Sequence, residues 1–308
     1  MSPCGILSAM RGLLLLLSIC TVALAQDVFI GGRADLEATV GANTRFDFGR
    51  QAGVDLTFSR DRLLDAYADI SAAGGTVRLQ ELYLQLPITK RVVEVTAGRF
   101  LLPHGDPHTR AEERYAAGAR DLFTSYRDWR PGNCLLDTDA DGLMLAREFK
   151  LPHGATLDAT LYGAQVPGGR FGYGARLIAG WRGFRVGGSW YDGYDQPGAD
   201  AWQAVAFAAW EGSGVELSGQ AYFGRATGGE QHGQLLRAAY RLPARLPLDL
   251  FAARTTYDDD LQRGVATTRL GVGYRFAQYY RAELRYEINE APGTVGDDAG
   301  VLRLTAVF

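Results

Sequence analysis

Residues 280–288 read YRAELRYEI, so apolar and charged side chains alternate without a break. In an extended strand Tyr280, Leu284 and Ile288 lie on one face, whereas the arginines and glutamates between them lie on the other. A helix would distribute these charges around its circumference. The segment therefore predicts a β-strand with one apolar and one charged face.

The same two-residue period recurs along most of the chain, most clearly over residues 170–182, 215–224 and 268–276. Aromatic side chains such as Phe171 and Trp181 stand near the ends of the apolar faces. Aromatic residues take such places in the interfacial girdles of membrane barrels. We therefore expect an all-β fold, a transmembrane antiparallel β-barrel, rather than a soluble all-β domain.

Turn signals between the alternating segments predict about sixteen strands. An even number is required when both ends of a bacterial barrel lie on the same side of the membrane. The faces of the sixth, tenth and thirteenth segments are ambiguous, which leaves a count of fourteen open. The predicted strands are residues 28–40, 44–58, 62–72, 76–87, 91–102, 138–150, 155–166, 170–182, 183–192, 201–211, 214–225, 232–242, 246–257, 263–276, 278–289 and 299–308.

Connection lengths support this order of strands. The turns expected at one end of the barrel are tight, for example near Pro152 and Gly212, whereas several connections at the other end are longer. Short periplasmic turns and long extracellular loops are typical of bacterial barrels. The longer connections are predicted over residues 192–200, 225–231, 258–262 and 290–298.

Residues 1–25 are expected to be an export signal that is removed. The apolar run 13–17 and a small-x-small end at residues 23–25 place cleavage before Gln26. We expect residues 26–308 to form a single barrel. They contain no apolar run long enough for a transmembrane helix, so the segments that cross the membrane are expected to be strands. The mean hydropathy of −0.11 fits a barrel, in which lipid-facing and lumen-facing residues cancel.

Charge and cysteine content exclude two other classes of protein. The formal net charge of −3 argues against a nucleic-acid partner. Cys4 and Cys20 lie in the expected signal, so Cys134 remains alone and no internal disulfide can form. This excludes a small secreted domain stabilised by disulfides.

Two stretches resemble a known family. Residues 301–308 read VLRLTAVF and end in Phe308, and residues 76–105 read TVRLQELYLQLPITKRVVEVTAGRFLLPHG, with a Gly-Arg-Phe element near the end. Both are similar to stretches of the Gram-negative outer-membrane porin superfamily, in particular the sixteen-stranded general and phosphate-selective-type porins. The chain departs from the lysine-rich pores expected of phosphate-selective relatives, since it has only Lys90 and Lys150.

The resemblance implies an integral protein of the cell outer membrane, a water-filled channel for passive diffusion of ions and small polar solutes. It also implies a homotrimer, contact with outer-membrane lipid and lipopolysaccharide, and recognition of the strand ending in Phe308 by the barrel-assembly machinery. It implies no cofactor. Residues 103–137, between strands 5 and 6, would be an inward-folding constriction loop. The charged residues that this loop brings to the constriction are Arg110, Glu112, Glu113, Arg114, Arg120 and Asp121.

The polar faces of the strands are assigned to the lumen. One wall would then be acidic and the facing wall rich in arginine, which sets up a transverse field across a water-filled pore. In the alternative, neighbouring charges such as Arg281 and Glu283 pair with one another and fill the barrel. The acidic residues expected to line the pore are Asp35, Glu37, Asp55, Asp65, Asp69, Glu81 and Glu94. The basic ones are Arg170, Arg176, Arg185, Arg237, Arg269, Arg281, Arg285 and Arg303.

One segment matches a calcium-binding pattern. The spacing D-x-D-x-D-G-x5-E of a calcium loop is present in full. Helices normally flank such a loop, whereas residues 143–149 are needed for the sixth strand, so this is a weak candidate metal site. Its ligands would be Asp137, Asp139, Asp141 and Glu148.

Two other functions are left open. An outer-membrane hydrolase would need a serine and a histidine at the barrel rim, where His232 is the candidate histidine, although no G-x-S-x-G or comparable motif is present. A non-conducting structural or adhesin barrel would have a lumen filled by side chains. We predict no catalytic residues and no enzyme activity.

Overall fold

The computed structural model describes residues 27–41, 45–60, 64–73, 76–88, 93–103, 139–165, 171–196, 199–226, 229–242, 247–259, 265–277, 280–290 and 298–307. These residues form sixteen strands and one 3-10 turn, at residues 152–154. No helix among them is long and apolar enough to cross a membrane. The strands are β1 (Asp27–Gly41), β2 (Arg45–Arg60), β3 (Leu64–Ala73), β4 (Thr76–Ile88), β5 (Val93–Leu101), β6 (Asp139–Lys150), β7 (Thr156–Gln165), β8 (Phe171–Trp181), β9 (Phe184–Gln196), β10 (Ala199–Gly212), β11 (Val215–Ala226), β12 (Gly229–Arg241), β13 (Leu248–Asp259), β14 (Val265–Ala277), β15 (Tyr280–Glu290) and β16 (Ala299–Val307).

The sheet closes on itself. Each strand pairs antiparallel with its neighbours in the chain, and β1 pairs with β16 from Arg33 opposite Val307 to Gly41 opposite Ala299. Closure leaves no edge strand unpaired, which is what a sheet in lipid requires. The predicted antiparallel barrel of sixteen strands is confirmed, and the count of fourteen is wrong. We call the end where β1 begins and β16 ends the terminal end, and the opposite end the loop end.

Several strands are longer at the loop end than predicted, among them β10, which begins at Ala199 instead of residue 201. β9 continues to Gln196 and β12 begins at Gly229, so two of the long connections expected there shrink to residues 197–198 and 227–228. Backbone pairing continues between residues that have no apolar side chain, for example between Arg225 and Glu230. The ladder of backbone hydrogen bonds does not depend on apolar side chains, which is why the end of the alternation did not mark the end of the strands.

The barrel is apolar outside and charged inside. Leu270 on β14 and Leu284 on β15 are 51% and 58% exposed, whereas Arg269 and Glu283 on the same strands are 2% and 1% exposed. A protein that folds in water buries the opposite set of side chains. The outer surface therefore suits a hydrocarbon environment, and the inner surface a polar one.

Aromatic rings lie near both ends of the outer surface. Near the terminal end the ring centroids of Phe184 and Trp210 are 6.0 Å apart. Near the loop end Tyr173 meets Trp190 edge to face at 5.4 Å. These are the two levels at which aromatic rings mark the interfaces of a membrane barrel, in agreement with the pattern in the sequence.

An apolar cluster lies inside the barrel at the loop end. The rings of Tyr162 and Tyr191 stack in it with their centroids 6.2 Å apart. A Cβ atom at Gly174 would lie 2.3 Å from the ring of Tyr162, so this inward-facing glycine of β8 provides the space for the ring. The buried members of the cluster are Phe100, Leu102, Ala140, Tyr162, Ala164, Tyr191 and Ala201.

Candidate functional site

Arginines and carboxylates form a connected network on the inner wall of β13–β15. The residues that alternate with the exposed Leu270 and Leu284 point inward. Arg269 and Glu287 are register partners on β14 and β15, and Nε of Arg269 lies 2.8 Å from Oε1 of Glu287. The same oxygen accepts a hydrogen bond of 2.7 Å from Nε of Arg285, so one carboxylate holds two guanidinium groups.

The network continues toward the terminal end through Glu283 and Arg281. Nη1 of Arg285 donates a hydrogen bond of 3.1 Å to Oε1 of Glu283, and Nη2 of Arg281 lies 3.7 Å from Oε2 of Glu283. Arg281 also reaches Asp249 on β13, with 3.6 Å between Nη1 and Oδ2. Glu283 is 1% exposed, and a buried carboxylate is tolerated only when its charge is compensated in this way.

A glycine makes the contact between β15 and β13 feasible. Gly273 lies on β14 between them, in register with Asp249 on one side and with Glu283 on the other. A Cβ atom at Gly273 would lie 2.5 Å from Nη2 of Arg281. The guanidinium therefore passes over bare backbone, and a larger residue at this position would exclude it.

Further arginines extend the basic wall to β8, β9, β12 and β16. Nη1 of Arg237 lies 2.6 Å from Oε1 of Glu216, whereas Arg176 and Arg185 are half-buried and Arg303 is buried. Among the described side chains of β8–β16, inward arginines outnumber inward carboxylates, so this wall keeps an excess of positive charge. The arginines are Arg176, Arg185, Arg237, Arg241, Arg269, Arg275, Arg281, Arg285 and Arg303; the carboxylates are Glu211, Glu216, Asp249, Glu283 and Glu287.

Carboxylates follow one another across β2, β3 and β4. Asp55 is the register partner of Asp69, and Asp69 is the register partner of Glu81. Register partners share one face of a sheet, so these positions form one row. Glu81 is 3% exposed, and its Oε1 accepts a hydrogen bond of 3.0 Å from the backbone N–H of Leu101.

The other predicted acidic residues have different surroundings. Oε2 of Glu94 accepts a hydrogen bond of 2.7 Å from Nε2 of Gln85, and Asp65 is half-buried. The remaining acidic positions have described backbones in β1–β3, but their side chains lie outside the described residues. They are Asp35, Glu37, Asp55 and Asp69.

The order of the strands around the barrel determines which charged residues face each other across the lumen and which are neighbours. In a closed ring of sixteen strands, strands eight apart stand opposite, so the acidic row on β2–β4 faces β10–β12. The arginine-rich strands β14–β16 face β6–β8 instead. The two sets meet at the seam, where Glu37 of β1 is the register partner of Arg303 of β16. Glu148 of β6 and Asp158 of β7 are register partners on the inner wall opposite β14 and β15, so part of the expected opposition is present there. The ion pairs on β13–β15 follow the alternative of mutual pairing.

Solved outer-membrane proteins share this architecture. OmpF of Salmonella typhi, solved in complex with daunomycin, matches with a TM-score of 0.66 at 13% identity, over 92% of this chain and 97% of that one. The anion-selective porin from Comamonas acidovorans matches with a TM-score of 0.65 at 14% identity, over 92% of this chain and 99% of that one. The trimer form of OmpT from Vibrio cholerae matches with a TM-score of 0.54 at 11% identity, over 92% and 98%. The chain has the porin fold. No protein-family model matches the sequence, and no curated protein matches it.

Within this porin fold the chain leaves β5 toward the barrel interior. Leu102 is 0% exposed and belongs to the inner apolar cluster with Tyr162 and Tyr191. Pro103, the next residue, is also buried. The rest of the predicted constriction loop lies outside the described residues. So do the site residues Arg110, Glu112, Glu113, Arg114, Arg120, Asp121 and Arg170.

The calcium-loop interpretation of the β6 region is wrong. β6 is a continuous strand, so Asp141 and Glu148, seven positions apart, lie on opposite faces and cannot share an ion. Asp141 instead pairs with Arg99 on β5, with contacts of 2.9 and 3.1 Å. Asp137 and the side chain of Asp139 lie outside the described residues. In the described part of the chain no three His, Cys, Asp or Glu side chains are grouped so as to hold a metal ion.

His232 lies near the loop end of β12. Its side chain is 60% exposed, and Nε2 lies 3.6 Å from Oδ2 of Asp258. The register partners of His232 are Phe223 on β11 and Asp258 on β13. A catalytic histidine of a hydrolase needs a serine within hydrogen-bond distance, and neither of these register partners is one.

Proposed function

We propose that this barrel is an integral protein of a bacterial outer membrane and forms a water-filled channel for passive diffusion of ions and small polar solutes. The proposal rests on one observation, the combination of an apolar outer face with an inner wall of arginines and carboxylates. Charged groups inside a closed barrel favour water and dissolved ions in the lumen. A solved protein of the same fold is described as an anion-selective porin.

The charges on the inner wall would govern which solutes pass. The arginine excess on β8–β16 attracts anions, and the row formed by Asp55, Asp69 and Glu81 attracts cations. Glu283 and Glu287 already compensate part of the positive charge. We therefore expect a channel of weak selectivity that admits small hydrated ions of both signs.

We propose that residues 103–137 narrow this channel as its constriction loop. The burial of Leu102 and Pro103 supports an inward course for the first residues of the loop. The apolar cluster around Tyr162 and Tyr191 offers a surface against which the loop base packs. Charged residues carried by such a loop would stand close to the permeating solute.

Single-channel recording in a planar bilayer tests the channel directly. The refolded protein should give stable, ohmic current steps. A salt gradient should give a small reversal potential, whose sign shows whether the basic or the acidic residues of the inner wall determine the ion preference. A protein that is folded by its heat-modifiable electrophoretic migration but gives no steps would contradict the channel.

A second candidate function is a non-conducting structural or adhesin barrel. Arg269 and Arg303 are 2% exposed and Glu283 is 1% exposed, so inward side chains cover one another in this part of the lumen. A barrel whose interior is filled in this way would not conduct. The same recording separates the two functions, because only the channel gives current steps.

The remaining features of the proposal come from the porin resemblance. We propose a homotrimer, for which the trimer form of OmpT with the same fold is support. We also propose contact with lipid and lipopolysaccharide, and recognition of the strand ending in Phe308 by the barrel-assembly machinery. A hydrolase is not proposed, since His232 has only an aspartate and a phenylalanine as register partners.

A further inference from the structure

Two arginines lie over aromatic rings at the terminal end of the outer surface. Cζ of Arg147 on β6 lies 4.4 Å from the centroid of the Phe149 ring. Cζ of Arg182, in the turn between β8 and β9, lies 5.0 Å from the ring of Trp181. Both rings belong to the outward-facing sets of their strands. The cation–π contacts therefore hold both guanidinium groups on the outside of the barrel.

Both guanidinium groups lie close to one membrane interface. The turn that carries Arg182 joins Trp181 to Phe184, a member of the aromatic girdle at the terminal end. Arg147 lies two residues farther from the end of β6 than Phe149, so its side chain extends toward the terminal end to reach the ring. Long basic side chains near a membrane interface extend in this way to bring their charge to the lipid head groups.

The outer surface has an excess of positive charge at this place. Among the residues that the structure describes, no carboxylate forms an ion pair with Arg147 or Arg182. Glu148 on β6 and Glu211 on β10 belong to the inner face, as do their register partners Asp158 and Glu216. The outward residues between the two arginines are uncharged, namely Leu157, Ala159 and Ala179.

The surface that leads from the arginines to the middle of the barrel is apolar. Ala159 on β7 and Ala179 on β8 lie between Arg147 and the turn between β8 and β9. Leu161 and Leu177 follow on the same two strands, near their middle, and are 60% and 52% exposed. Acyl chains whose head group is at the arginines can lie over these residues and end near the middle of the barrel, within one leaflet.

The spacing of the arginines fits phosphate groups. Only β7 separates β6 from β8, so these two strands lie about 10 Å apart. A guanidinium can donate two parallel hydrogen bonds to one phosphate. Each arginine can therefore hold one phosphate, and a lipid whose head group contains two phosphates can occupy both.

We propose that this patch binds anionic phospholipid of the leaflet at the terminal end, with phosphate on Arg147 and Arg182. The tight turns at this end are typical of the periplasmic side of a barrel. The periplasmic leaflet of an outer membrane consists of phospholipid, whereas lipopolysaccharide occupies the other leaflet. The inference rests on the outer-membrane location proposed above.

Native mass spectrometry of the detergent-solubilised protein, titrated with defined lipids, tests the site. Cardiolipin, which has two phosphates, should be retained about tenfold more tightly than phosphatidylethanolamine, whose ammonium the guanidinium groups repel. Phosphatidylglycerol, with one phosphate and no ammonium, should lie between them. Retention of phosphatidylethanolamine equal to that of both anionic lipids would overturn the proposal.

Variants without one or both charges locate the site. Arg147→Gln and Arg182→Gln should each lower the retention of cardiolipin, and the double variant should lose the preference for anionic lipid. Arg254→Gln is the matched control, because Arg254 lies on the outer surface near the loop end, where Nη2 is 3.1 Å from Oε2 of Glu290. The control should keep the preference. A preference that persists in the folded double variant would overturn the site.

The lipid site and the channel can fail separately. A barrel that retains anionic lipid but gives no current steps would contradict only the channel. A conducting barrel that retains the three lipids equally would contradict only the lipid site.

Discussion

Arg281 and Asp249 form an ion pair with 3.6 Å between Nη1 and Oδ2, although the strands that carry them, β15 and β13, are not neighbours. Gly273 of β14 lies at the crossing point. Asp249 also lies 3.4 Å from Nε of Arg241 on β12, measured from Oδ1. One carboxylate thus links three strands on the inner wall, whereas the backbone ladder links only adjacent ones. The contact restrains the terminal end of the barrel in a way that the ladder alone does not.

Gly273→Val should remove this restraint. A Cβ atom at this position would lie 2.5 Å from Nη2 of Arg281, so the guanidinium must leave and Asp249 loses one partner. We expect the free energy of unfolding to fall by about 0.5–1.5 kcal/mol, the net contribution of one lost polar interaction, since Asp249 keeps Arg241 as a partner. The urea midpoint in lipid vesicles measures this. Gly300→Val is the control, because its Cβ meets no atom closer than the Val40 carbonyl oxygen at 3.8 Å; equal midpoints for the two variants would contradict the prediction.

Glu287→Gln should shift the ion preference of the channel toward anions. Glu287 compensates both Arg269 and Arg285, and its loss leaves two positive groups on the lumen wall without their shared carboxylate. The reversal potential in a potassium chloride gradient should move in the direction of greater chloride permeability. Glu290→Gln removes the same charge from the outer surface and should leave the reversal potential unchanged. An equal shift in both variants would show that the network does not line the ion path.

The strands could be predicted from the sequence because their alternation is a local property. In YRAELRYEI of β15 the alternation is visible from these nine residues alone. The structure places Leu284 on the outer face and Glu283 and Arg285 on the inner face. The loop ends of β9 and β12 could not be predicted in this way. There the polar residues on both faces interrupt the alternation, while the backbone ladder with the next strand continues.

The charged network could be predicted only in part. The inward positions of Arg269 and Arg285 follow from alternation, but their sharing of Glu287 depends on the register between β14 and β15. Asp249 was missed altogether, because β13 has apolar residues on both faces and its inner face is ambiguous in the sequence. The Arg281–Asp249 contact also depends on Gly273, and no local pattern shows that two strands separated by a third will meet over a glycine.

Removal of residues 110–130 should increase the single-channel conductance. The loop leaves β5 through the buried Leu102 and Pro103, and a loop lying within the lumen reduces the cross-section open to ions. Conductance in symmetrical salt measures the change. Removal of residues 292–296, between β15 and β16 at the same end, is the control and should leave the conductance near its original value. A folded deletion variant with unaltered conductance would contradict the constriction role of the loop.

Leu177→Arg tests whether the outer face lies in hydrocarbon. Leu177 is 52% exposed near the middle of β8, and an arginine at the bilayer midplane of a barrel costs about 2–4 kcal/mol. The free energy of unfolding from lipid vesicles should fall by this amount. Ala239→Arg adds the same side chain on the inner face of β12, where Glu216 of β11 is its register partner and can compensate the charge, and the loss there should be smaller. If the two variants lose equal stability, the outer face is not embedded in lipid, since only the low dielectric of hydrocarbon distinguishes the two positions.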